Sequence, residues 1–177
     1  MSKLSKIDSA AEGKGKGIET LWQFVKFIFV SLGAFVIQTF LPLLIKLPMS
    51  DSFLYQEFSF LGIFQSTAEV GLGVFIAANL SNVIAQIVSF FINREKTFNS
   101  SANIAVTLPI YIVFTIALIC FSAWLSPTLI TLLESKLGEN AAISISGAIC
   151  GAIQFFLYFP VDKILFSKKK EKKEVKE

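Results

Sequence analysis

Apolar residues fall in four long blocks along this chain, about Leu21–Ile45, Val70–Ile92, Ile104–Leu125 and Ala141–Phe159, with shorter polar links between them. At about 1.5 Å of rise per residue, each block as a helix matches the roughly 30 Å hydrocarbon core of a bilayer. The second block is not uniformly apolar. Asn79, Asn82, Gln86, Ser89 and Asn93 recur at alternating steps of three and four, which aligns five polar side chains on one helical face. Lipid offers such a face no hydrogen bonds, so it turns toward protein or a watery cavity. Glu69 bounds the block at one end, and Arg94, Glu95 and Lys96 bound it at the other.

The pattern predicts further detail around the spans. Residues 1–19 read as a flexible cytoplasmic tail, given the Gly-Lys-Gly-Lys-Gly run from Gly13 to Gly17. Residues 20–167 read as one four-helix transmembrane domain, and 168–177 as a charged cytoplasmic tail. The first block is too long for the core of a secretory signal and is expected to remain as a helix. Trp22 suits an interfacial anchor, Lys26 a position from which to snorkel, and Gln38 is the polar residue deep in span one. The link from Lys46 to Glu69 spaces Leu54, Phe58, Leu61 and Gln65 like a short interfacial helix, either a packing plug or a lid. Pro42 and Pro109 are expected to bend their helices, Pro127 to end span three before an amphipathic segment up to Gly138, and Pro160 to break span four. Gly147 and Gly151 form a G-x-x-x-G pair, and Ala77, Ser81, Ala85 and Ser89 a small-residue row. Small residues let backbones approach, so spans two and four are expected to pack closely, or one of them to form a dimer interface in a homo-oligomer.

Charge fixes an expected orientation. Of 16 basic residues, all but Lys46 and Lys136 lie before span one or in its first turn, between spans two and three, or after span four. The positive-inside rule then puts both termini in the cytoplasm. The fold class expected is therefore an all-α membrane protein with four transmembrane helices. The endings FFINREKTF and FFLYFPVDKILF also hint at two parallel two-helix repeats.

Chemistry for catalysis is not evident. There is no histidine, no span serine with a base, and no carboxylate pair at one depth, so no enzyme activity is expected. Cys120 and Cys150 are not spaced as metal ligands and read as small packing residues. No cofactor, metal or nucleic-acid partner is expected. An ion-coupled antiporter needs an ionisable group inside the bilayer; Asp162 reads as lying at the inner surface, and no span has an acid deeper than that. What remains is the polar stripe and the cations Lys26, Arg94, Lys96 and Lys163. Helix packing and topology alone account for such residues one at a time. Together, a neutral polar groove ending at a cationic rim suits a ligand with a phosphate at the surface and hydroxyls above it.

The segment Ser89-Phe90-Phe91-Ile92-Asn93-Arg94, closed by Thr97-Phe98, resembles the GtrA-like family of small four-span membrane proteins. Phe24–Gly33 resembles the family's opening, and Lys163–Phe166 its close. Lys96 stands where the family usually has an aromatic, and Ser31 where it has a glycine. The resemblance implies a role in cell-surface polysaccharide or teichoic-acid glycosylation, moving a polyprenyl-phosphate-linked sugar across the cytoplasmic membrane. By the same resemblance Asn93 and Arg94 lead the candidate positions. Arg94 would hold the lipid phosphate, with Lys26 and Lys163 beside it, and Asn93, Ser89, Gln86, Asn82 and Asn79 would offer the sugar a polar path. With no nucleotide motif, movement would be passive or driven by the lipid's own gradient. The alternative is a non-transporting subunit that recruits or stabilises a membrane glycosyltransferase.

Overall fold

A computed structural model describes residues 3–67 and 70–167. The charged segment 168–177 lies outside the described residues. The chain forms helices α1 (Lys3–Gly13), α2 (Lys16–Lys46) and α3 (Asp51–Leu54), a two-stranded hairpin of β1 (Ser59–Phe60) and β2 (Phe64–Gln65), and then helices α4 (Leu72–Ile92), α5 (Ile104–Leu137) and α6 (Glu139–Leu165). A single π turn, Asn93–Thr97, extends α4. α2, α4 with its π turn, α5 and α6 are each long and apolar enough to cross a membrane.

Several boundaries differ from the sequence expectation. Residues 3–13 form a helix where a flexible tail is expected. Its Asp8 accepts hydrogen bonds from Trp22 Nε1 at 2.6 Å and Lys26 Nζ at 3.0 Å, which tie α1 to the start of α2. The predicted interfacial helix over 54–65 is instead the short α3 followed by the antiparallel hairpin, with Ser59 opposite Gln65. Leu61 and Gly62 take positive φ in the turn, which a helix cannot accommodate. Pro127 does not end its helix; α5 runs through it to Leu137. Pro160 likewise sits inside α6. A proline removes one backbone hydrogen bond, and in lipid the rest of the helix has no alternative partners, so the helix continues. α5 and α6 are joined by Gly138 alone, at φ 80°, which glycine tolerates.

The pairing of helices also differs. α2 packs along α4, and α5 along α6, while α4 meets α5 at the centre. Spans two and four are not the close pair. Gly147 and Gly151 are exposed, and a side chain added at either would meet nothing. The small row on α4 is used, however: Ala77, Ser81, Ala85 and Ser89 are all buried, with Ala34 of α2 buried as well.

The start of α2, the π turn and the end of α6 meet at what we call the basic end. Lys26 Nζ donates to the Lys96 carbonyl at 2.7 Å, and Lys163 Nζ to Thr20 Oγ1 at 2.6 Å. The buried aromatic core lies toward this end, with Phe27, Phe90, Phe98, Tyr111, Tyr158 and Phe166 in one cluster. α2 and α6 touch sparsely. Phe24 packs edge-on to Phe159 at 4.9 Å, and Phe27 lies 5.2 Å from Phe155. Such ring pairs contribute about 0.5–1.5 kcal/mol each beyond the area they bury.

Candidate functional site

The polar face of α4 turns inward, onto protein. Three of its residues each reach a different neighbouring helix. Asn82 Oδ1 accepts from Gln38 Nε2 of α2 at 3.0 Å. Gln86 Oε1 accepts from the Tyr111 hydroxyl of α5 at 3.1 Å. Asn93 Nδ2 donates to Asp162 Oδ2 of α6 at 2.8 Å, and its Oδ1 accepts from Thr97 Oγ1 at 2.9 Å. Asn79 donates to its own helix, at the Phe75 carbonyl. Ser89 is buried against the α2 side.

Between α2 and α6 these residues floor a cavity of about 330 Å³. Gln38, Gln86, Ser89, Asn93, Tyr111 and Gln154 supply its polar surface, and Ile28, Leu32, Phe35 and Phe155 apolar surface around it. Its size falls in the usual range for small-molecule sites. Leu32 and Phe35 are more than half exposed and Gly151 is open, so the cavity is a groove that faces sideways out of the bundle. The aromatic collar of Phe24, Phe27, Phe155 and Phe159 closes it toward the basic end.

A second cavity of about 320 Å³ continues toward the far end. Asn79, Asn82, Ser122, Ser126, Cys150 and Gln154 line it, with Phe64 of β2 and Phe75 above. Gln154 borders both cavities and donates to Ser122 Oγ at 2.7 Å. The stripe is thus divided, with Gln86, Ser89 and Asn93 in the first chamber and Asn79 and Asn82 in the second. The Gln38–Asn82 and Gln154–Ser122 hydrogen bonds stand between them.

The predicted cations are not brought to this groove. Arg94 directs Nε and Nη2 to the Ala102 carbonyl, at 3.0 and 2.7 Å. That clamps the loop between the π turn and α5, whose first turn is capped by Asn103 Oδ1 accepting from Ala105 N at 2.9 Å. Lys26 is engaged with Asp8 and the Lys96 carbonyl. Lys163 is exposed at the rim of the bundle.

Four residues of the site were not expected from sequence: Tyr111, Gln154, Tyr158 and Asp162. Tyr158 donates to Thr115 Oγ1 at 3.0 Å, and Thr115 to the Tyr111 carbonyl at 3.0 Å, so the two tyrosines share one network. A tyrosine inside an apolar span carries a hydroxyl that needs a partner, and Gln154 is polar at mid-span; both signals were available. Asp162 adds what the sequence reading lacked: near the end of α6, beside Lys163, its side chain is fully buried in protein.

Among the described residues no cluster of His, Cys, Asp and Glu has metal-ligand geometry. No protein-family model, curated protein or solved structure matches the chain.

Proposed function

We propose that this chain moves a polyprenyl-phosphate-linked sugar between the leaflets of the cytoplasmic membrane, for assembly of a cell-surface polysaccharide or teichoic acid. In this reading the basic end and both termini face the cytoplasm, as the lysine distribution asks. The observation that carries it is the sideways groove between α2 and α6, polar on its floor and apolar at its lips. A lipid-linked sugar has the same division. Its hydroxyls need hydrogen-bond partners that acyl chains lack, while its polyprenyl chain stays in the bilayer. The two chambers give the headgroup successive polar stations, with Gln154 common to both. The resemblance of Ser89–Phe98 to the GtrA-like family agrees with this substrate class.

The proposal differs from the sequence expectation at the phosphate. Arg94 is spent on the Ala102 carbonyl, so Lys163, exposed and bonded to the neutral Thr20 hydroxyl, is the better cation for a headgroup phosphate at the rim.

The test is transfer of a short-chain polyprenyl-phosphate sugar across liposomes holding the purified protein. Gln86→Leu, Gln154→Leu and Asn82→Leu keep the helices and remove polar stations. Each is expected to lose most of the transfer rate at matched protein level. Wild-type rates in all three overturn the reading, return the stripe to helix packing and favour a subunit that stabilises a glycosyltransferase.

A further inference from the structure

Asp162 is the one acid buried among the described residues, and neither topology nor packing asks for it. Its Oδ2 accepts from Asn93, and its Oδ1 has no hydrogen-bond partner. It makes no ion pair among the described residues. The cations of the basic end are directed elsewhere: Arg94 of the π turn to the Ala102 carbonyl, Lys163 of α6 to Thr20, and Lys26 of α2 to Asp8. The titratable groups that face it are Tyr111 of α5 and Tyr158, about one turn earlier in α6. Both tyrosine hydroxyls donate away from it, to Gln86 and Thr115. From α4 and the π turn it meets the neutral Asn93 amide.

A carboxylate held this way has about half of its acceptor capacity unmet, and burying it without a counter-charge is costly. Whatever completes it must be small, because the side chain has no exposed surface; a donor water would satisfy the oxygen, but only a positive partner removes the uncompensated charge. A metal ion needs several ligands, and no cluster of acids or cysteines surrounds it among the described residues. A proton needs only the free oxygen.

Its position gives that proton leverage. The Asn93–Asp162 bond joins the end of α4 to the end of α6, hence the α2–α4 pair to the α5–α6 pair. Phe166 packs beside it on Phe90 at 5.1 Å and on Phe98 at 5.7 Å. Asn93 also lines the groove. We propose that Asp162 is a proton-binding site, and that loading and unloading it couples a proton to passage of the lipid-linked sugar along the groove. This rests on the transport reading above. The proton comes from water, forms an O–H bond at Oδ1 and later returns to water. The loaded carboxyl is neutral and presents a donor. The unloaded one is an acceptor that draws the Asn93 amide to it. Two arrangements of the seam between helix pairs are thereby weighted differently, as a coupled carrier requires.

Two measurements test it. In liposomes with an imposed pH gradient, wild-type transfer of the short-chain polyprenyl-phosphate sugar is expected to speed up several-fold for one gradient direction. Asp162→Asn, which preserves shape and the bond to Asn93, is expected to lose that response entirely while retaining some transfer. Gradient-independent transfer by the wild type overturns the coupling and leaves the transport reading standing. Infrared difference spectra of the purified wild type across an acid-to-neutral pH step read the site without transport. A protonated-carboxyl C=O band is expected, and its absence in Asp162→Asn assigns it. No such band in the folded wild type overturns the proposal even if no sugar is transferred. A band present with no transfer by any form overturns the transport reading and the coupling built on it.

Discussion

Arg94 shows how a residue type suggests one role and a geometry another. Its guanidinium fork is matched to a carbonyl that would otherwise be buried and unpaired, since Ala102 is only 3% exposed. Removing a charged partner from a buried acceptor costs about 1–3 kcal/mol. Arg94→Ala should therefore lower thermal stability in detergent by about that amount, and Arg94→Lys by less, since an ammonium supplies one point donor in place of two fixed ones. At matched folded protein, both should transfer sugar at near wild-type rates. A collapse of transfer in folded Arg94→Lys would return the residue to the ligand. The polar stripe was legible because its spacing is local to one helix. The partners Gln38, Tyr111 and Asp162 were not, because each lies on a different helix and nothing in the spacing of α4 names them. Asp162 was the least legible. It sits beside Lys163 and the charged tail, so the sequence around it reads as a membrane surface, whereas the neighbouring lysine points out and the aspartate points in.

At the scale of elements, four helices were readable because hydropathy is a property of contiguous residues. Their pairing was not. Small residues occur on α4 and on α6, and only contact decides which row is a seam. The structure puts Ala85 in one, fully buried, and leaves Gly147 in the open. Ala85→Leu should overpack the buried face of α4 and cost about 1–3 kcal/mol, while Gly147→Leu should leave the unfolding temperature unchanged. Reversal of that order would show α6, not α4, to be the packed face. Gly71 and Gly73 matter in another way. A Cβ at Gly71 would collide with the backbone of Leu54 and Tyr55, and one at Gly73 with the Leu54 backbone. Gly71→Ala should unseat the segment that carries α3 and the hairpin. The readout is faster proteolysis between residues 47 and 66, with α4 itself intact.

For the whole molecule, the alternating direction of α2, α4, α5 and α6 gathers the start of α2, the end of α4 with its π turn and the end of α6 at one end. With Cys120 and Cys150 replaced, a cysteine at Ser52 or Lys136 should react with an impermeant maleimide on intact cells, and one at Ser167 only after permeabilisation. The opposite pattern would overturn the proposed orientation with the basic end toward the cytoplasm. The groove between α2 and α6 carries a last consequence. Among the described residues no helix covers its outer side, so in the proposed transport reading the bilayer itself is the missing wall. An occupant competes with acyl chains, not with water, and its effective concentration is its mole fraction in the leaflet. Affinity for such a site is a property of protein and lipid together. A compound that blocks it must first dissolve in the membrane, and a bilayer of different thickness or chain order would change the binding constant without any change in the protein.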